Sequence, residues 1–170
     1  MIIPKHTISD TRLTQLIGNP LKHKLTPIGS GAFILKSFSN SSNNNDTLNI
    51  NSRCNFEKRE KGLLLYINYK NNLSLIPLPI DEIINITLKK GEEKINPRFL
   101  SFMWILLKIG VPISFARYFE YRSLEYSIKP TELSISTKKY NMTFISNGYK
   151  FEEQAQFFKS LKYRNILIHS

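Results

Sequence analysis

The chain has 170 residues, of which 41% are hydrophobic, 12% aromatic and 22% charged, enough apolar material for one domain with a core and too much for a disordered chain. Lysine and arginine number 24 against 13 aspartates and glutamates, a formal net charge of +11, which suits a polyanion such as nucleic acid, anionic lipid or an acidic protein. The single cysteine, Cys54, excludes an intramolecular disulfide framework and any metal site built on two or four cysteines.

The basic excess is spread out: residues 1–36 carry five bases against Asp10 alone, and residues 131–170 carry six bases against three acids. No run of five or six like charges occurs, which argues against a basic tail. Met1-Ile2-Ile3-Pro4-Lys5-His6 lacks the apolar run of a secretory signal. A cytoplasmic protein is expected, including one peripheral at the inner face of the membrane.

In chain order, residues 1–30 read as an N-terminal arm with a short helix. Ser9 or Asp10 can cap it, Leu13, Leu16 and Ile17 share one face, and Gly18-Asn19-Pro20 stops it. So short an apolar face must dock on something. Residues 31–163 read as a single domain. Gly29-Ser30-Gly31 lacks the loop and helix of a phosphate cradle and reads as a turn into the strand at Phe33-Ile34-Leu35. Residues 37–52, dominated by Ser and Asn, read as a mobile polar loop.

From Gly62 the pattern turns to strands. Leu63 to Tyr69 and Leu73 to Leu78 flank Asn71-Asn72 as a tight hairpin, and Pro77 and Pro79 place the second strand at a sheet edge or bend. Ile84, Ile86 and Leu88 alternate with Asn85, Thr87 and Lys89, which predicts a half-buried strand with the first set inward. Leu124 to Ile128 is another alternating strand, and Leu133–Thr137 with Tyr140–Ile145 is a hairpin over Lys138-Lys139. After a turn at Asn147-Gly148, a helix runs over residues 151–161 with Phe151, Ala155, Phe158 and Leu161 as its apolar stripe.

Residues 97–119 form an apolar insertion. A helix is predicted from Pro97 to Ile109, followed by an extended piece, because Gly110-Val111-Pro112 interrupts the run. Lys108 near the middle and Arg117 further on weigh against a membrane span. Two readings remain ahead of spanning: internal core or a homo-oligomer seam, and a surface for a protein or an anionic lipid interface. The candidate contacts are Phe99, Phe102, Trp104 and Lys108, with Arg98 and Arg117 at the margins.

No catalytic constellation and no cofactor or metal site is legible. His6, His23 and His169 have no metal-like partner spacing, and Cys54 has no adjacent histidine. A hydrolase with an unrecognised site is a minor alternative. The larger one is a basic nucleic-acid-binding domain, in which Lys138, Lys139, Tyr140 and Lys150 interleave bases with an aromatic.

The phrase Leu75-Ile76-Pro77-Leu78-Pro79-Ile80-Asp81-Glu82-Ile83-Ile84-Asn85-Ile86, together with the hairpin Leu133 to Ile145 leading into residues 151–161, resembles the pleckstrin-homology (PH) superfold, in particular compact bacterial PH-like and GRAM-like domains. The resemblance covers about three quarters of the chain. It implies a mainly β, α+β fold: an antiparallel, partly open barrel capped by the C-terminal helix, with the 97–109 helix inserted. The phosphoinositide-binding phrase of eukaryotic members is not matched after Lys36, so headgroup recognition does not carry over. The expected function is therefore a non-enzymatic adaptor engaging a protein partner or an anionic membrane surface.

Overall fold

A computed structural model describes residues 3–4, 10–21, 29–40, 48–70, 72–121, 125–161 and 163–169. Ser9, His6, His23, Asn71, Leu124 and Lys162 lie outside the described residues. The elements in chain order are β1 (Ile3–Pro4), α1 (Asp10–Ile17), β2 (Phe33–Asn40), β3 (Arg53–Arg59), β4 (Gly62–Tyr69), β5 (Asn72–Pro79), β6 (Ile83–Lys89) and β7 (Glu93–Ile95). They continue with α2 (Phe102–Lys108), α3 (Ile113–Ala116), β8 (Tyr126–Ile128), β9 (Thr131–Thr137), β10 (Tyr140–Ser146), α4 (Phe151–Lys159) and β11 (Ile166–His169). Two compact units result, one of Met1–Lys90 with Thr131–Ser170, the other of Gly91–Pro130.

The first unit is mainly β with helices, an α+β arrangement. Nine strands form one sheet in the order β1-β5-β4-β3-β2-β10-β9-β6-β11. It does not close into a barrel: β1 and β11 are its two edges. It is also mixed, because β11 runs parallel to β6 while the other pairs are antiparallel. A chain that leaves β10 through α4 returns by crossover, which permits a parallel partner where a hairpin would not.

Period-two alternation builds the core. Cys54 and Phe56 of β3, Leu63, Leu65 and Ile67 of β4, and Leu133 and Ile135 of β9 point to one face, where α4 lays Phe151, Ala155, Phe157 and Phe158. At the centre Phe33, Phe56, Phe144 and Phe158 meet edge to face, with ring centroids 5.2 Å apart for Phe56–Phe144 and 6.0 Å for Phe56–Phe158. The predicted stripe of α4 is buried, and so is Gln154, whose Oε1 accepts a hydrogen bond from the Ser146 hydroxyl at 2.8 Å. Just past α4, Lys58 Nζ donates to the Ser160 carbonyl at 2.6 Å, a cation where the helix dipole favours one. On the opposite face α1 buries Leu13 and Ile17 against Leu64 and Leu75, while Leu16, expected to share that face, stays exposed.

Several expectations need correction. Ile86 and Leu88 are buried as expected, but Ile84 points outward, 55% exposed, because the β6–β9 register shifts between Ile83 and Asn85; this bulge puts Ile83 inward in its place. Residues 37–40 extend β2 rather than open a loop, paired with β10 from Thr143 to Tyr140. Residues 41–47 of that expected loop lie outside the described residues. β3 has no counterpart in the sequence reading, and β11 lies beyond residue 163.

In the second unit β7 and β8 pair antiparallel, Glu93 opposite Ile128 and Ile95 opposite Tyr126. Met103, Ala116 and Tyr126 form its small core, with Leu106, Leu107, Val111, Ile113 and Ile128 partly buried around them. The predicted helix over 97–109 is only α2, residues 102–108, and the piece expected to be extended contains α3 and a 3₁₀ turn at Arg117–Phe119. The late start has two causes. Leu100 adopts a left-handed φ of 62°, incompatible with a continuing helix, and Ser101 then caps, its hydroxyl accepting from Trp104 N at 3.1 Å.

Candidate functional site

The second unit is short of interior and rich in exposed aromatic surface. Of α2 only Met103 is buried, of α3 only Ala116. α2 is capped at its C-terminus by Ile109, and Gly110 takes a φ of 86°, so that Val111 N reaches back to the Leu106 carbonyl at 2.9 Å. Two short helices thus fold back on each other, turning Phe99, Phe102, Ile109, Phe115, Tyr118 and Phe119 outward. Phe99 is 77% exposed, Tyr118 74% and Phe115 65%. Two pairs of rings meet across this surface: Phe99 with Trp104, centroids 5.2 Å apart, and Phe102 with Phe119 at 5.3 Å.

Cations border the rings. Lys108 Nζ lies 5.6 Å from the Trp104 ring, Arg98 lies 5.6 Å from Tyr121, and Arg117 lies 5.3 Å from Tyr118. Among the described residues no carboxylate pairs with Lys108 or Arg117.

One buried acid holds the loops that present this surface. The Glu125 carboxylate, fully buried, accepts from Arg98 N at 2.6 Å through Oε1 and from Tyr121 N at 2.7 Å through Oε2. Burial alone pushes this carboxyl up, but the Ser101 hydroxyl, the Tyr121 and Arg98 backbone N–H groups and the Arg98 charge outweigh it and hold it below the usual range. Ser101 therefore touches both the first turn of α2 and Glu125. Next to it, Glu120 Oε2 accepts from Tyr126 N at 3.1 Å.

All six residues expected to make contacts belong to this unit. Arg98, Phe99, Phe102 and Lys108 are exposed, whereas Trp104 and Arg117 are half-buried. Phe99, Trp104 and Lys108 come together, as do Phe102 and Phe119. Sequence reasoning missed Phe115, Tyr118 and Phe119 as surface groups, although all three stood in the apolar run. It missed Glu125 altogether; nothing local marks an acid whose partners lie 4 and 27 residues away.

The nucleic-acid candidates are differently placed. Tyr140 is buried and packs on Phe38 with centroids 5.4 Å apart, so its ring cannot stack a base. Lys139 Nζ pairs with Glu82 at 2.5 Å and Lys150 Nζ with Glu153 at 3.2 Å, while Lys138 is exposed.

Nucleophilic chemistry finds little support. Burial, partly offset by a hydrogen bond with the Leu35 backbone, pushes the Cys54 thiol up to about 12. An open cavity of about 630 Å³ lies on the outer face of β3 and β4, lined among others by Arg53, Asn55, Glu57, Tyr66 and Asn68. Its one acid is engaged: Glu57 accepts from the Tyr66 hydroxyl and pairs with Arg59 Nε at 2.7 Å. Among the described residues no three of His, Cys, Asp and Glu gather as a metal site would require, and no helix is long and apolar enough to cross a membrane. Compared with family models, with curated proteins and with solved structures, the chain matches none.

Proposed function

We propose that the protein is a non-enzymatic binding module: a PH-like core carrying residues 91–130 as its docking element, which engages a protein partner or an anionic membrane surface. The PH-like part of the reading is supported by element order. β2 to β5 form a four-stranded antiparallel meander, β2 pairs with β10 at the end of the series β6-β9-β10, and α4 follows at once to cover the shared core. The observation that carries the binding role is the exposed aromatic surface of 98–121 bordered by Arg98, Lys108 and Arg117. Exposed apolar groups on this scale have a desolvation gain to realise only against something else.

The test compares the unmodified chain with a Phe102→Ser, Phe115→Ser variant expressed in cells. Both side chains point to solvent, so circular dichroism should be unchanged. The unmodified chain should fractionate with membranes or with one stoichiometric protein, and the variant should be found free. Equal fractionation of both, or recovery that nuclease treatment abolishes, refutes the proposal.

A further inference from the structure

Resting on that reading, we infer that the occupant of the 98–121 surface is the headgroup–acyl boundary of an anionic bilayer, into which the aromatic tips insert while the flanking cations meet lipid phosphates. Charge is the first reason. Residues 98–121 contain Arg98, Lys108 and Arg117 against a single acid, Glu120, and that acid is turned to the Tyr126 backbone N–H. The surface is therefore apolar with a positive border, complementary to acyl chains beneath anionic headgroups.

Side-chain anatomy is the second. Lys108 Nζ lies over the Trp104 ring and the Arg117 guanidinium over the Tyr118 ring, so each charge sits beside an aromatic face at the border of the apolar surface. Such amphipathic side chains settle at a polar–apolar boundary. The third reason is what the unit fails to offer a peptide. α2 has seven residues and α3 four, too short to form a groove for a partner helix. β7 and β8 have three residues each, too short to template an added strand. A bilayer has no shape to match and accepts scattered tips. A second copy of the chain fits worse, since a two-fold seam would set these cations against themselves on molecules that each carry +11.

Insertion is shallow. α2 spans seven residues, a rise of about 10 Å against a hydrocarbon core of about 30 Å, so the unit lies in the interface and does not cross it.

The experiment is flotation of the full chain with vesicles of equal parts phosphatidylcholine and phosphatidylglycerol, and with vesicles of phosphatidylcholine alone, reading the fluorescence of Trp104, the only tryptophan. Expected are co-flotation with the anionic vesicles only and a blue shift of Trp104 emission. Phe102→Ser with Phe115→Ser should weaken partitioning about a hundredfold, and Lys108→Glu, which changes the charge by two, about thirtyfold. Lys138→Ala should leave it unchanged. Equal binding to neutral vesicles, flotation without a Trp104 shift, or flotation indifferent to the two Phe substitutions overturns the inference. If the chain does not float yet the same substitutions release it from a protein in cells, the lipid occupant is refuted and the docking reading stands; if they release it from nothing, both fall.

Discussion

Glu125→Gln tests how the 98–121 surface is held. The carboxylate accepts two backbone N–H groups, one on each oxygen, from Arg98 and Tyr121. The amide has the same shape but one oxygen, so one of these N–H groups must face an NH₂ group, donor against donor. Hydrogen bonds to a charged group contribute about 1.5–3 kcal/mol, and a buried donor left unmatched costs about 1–3 kcal/mol. The local opening free energy of the 98–121 loops should therefore fall by about 2–4 kcal/mol, with the core of the first unit untouched. At about 1.4 kcal/mol per tenfold, amide hydrogen exchange at Arg98 or Tyr121 should accelerate by roughly 30- to 1,000-fold. The pH dependence follows from the same geometry. The folded carboxyl titrates below its ordinary range, so its contribution is complete above the unfolded carboxyl's pKa and is lost as pH falls through the lower, folded one. In the glutamine variant this acid-sensitive loss at the two amides should vanish. Unchanged protection at both amides in the variant would mean that Glu125 does not fasten the surface.

Two further outcomes probe the first unit. Phe158→Ala removes a ring that meets both Phe33 and Phe56 at the buried centre and should cost about 3–5 kcal/mol, read as a lower midpoint in urea unfolding at unchanged slope; a loss below about 1 kcal/mol would mean that α4 does not close the core. Cys54, with its thiol up at about 12, should resist iodoacetamide at pH 8 in the folded protein and react readily in denaturant, since the raised value leaves almost no thiolate; fast alkylation of the native protein would contradict its burial.

The parts of the fold legible in the sequence are those in which alternation and turn chemistry agree. The hairpin over Lys138-Lys139 stands as expected, because Leu133, Ile135, Met142 and Phe144 keep strict period two on both arms. α4 was readable from its apolar stripe. β3 was not: Arg53, Glu57, Lys58 and Arg59 crowd around the two inward residues Cys54 and Phe56, so charge masks a short alternation that only the neighbouring strands stabilise. Ile84 shows the converse failure, since a one-residue bulge is set by pairing with β9 and leaves no local mark. In the candidate site the apolar run and its flanking cations could be read from the sequence, whereas the fold-back of α2 on α3 and the grip of Glu125 depend on contacts across the unit.

The chain leaves the first unit after Lys90 and returns to it at Thr131, and Lys89 stands directly opposite Glu132 in the β6–β9 ladder. The two strands that flank the excursion are thus held about 5 Å apart by a ladder that exists for the sake of the sheet. Closing an excursion between points already joined depends only weakly on how many residues it contains. The segment can therefore be lengthened, shortened or replaced without rebuilding the scaffold, which leaves the surface it presents and the stability of the sheet as separate matters.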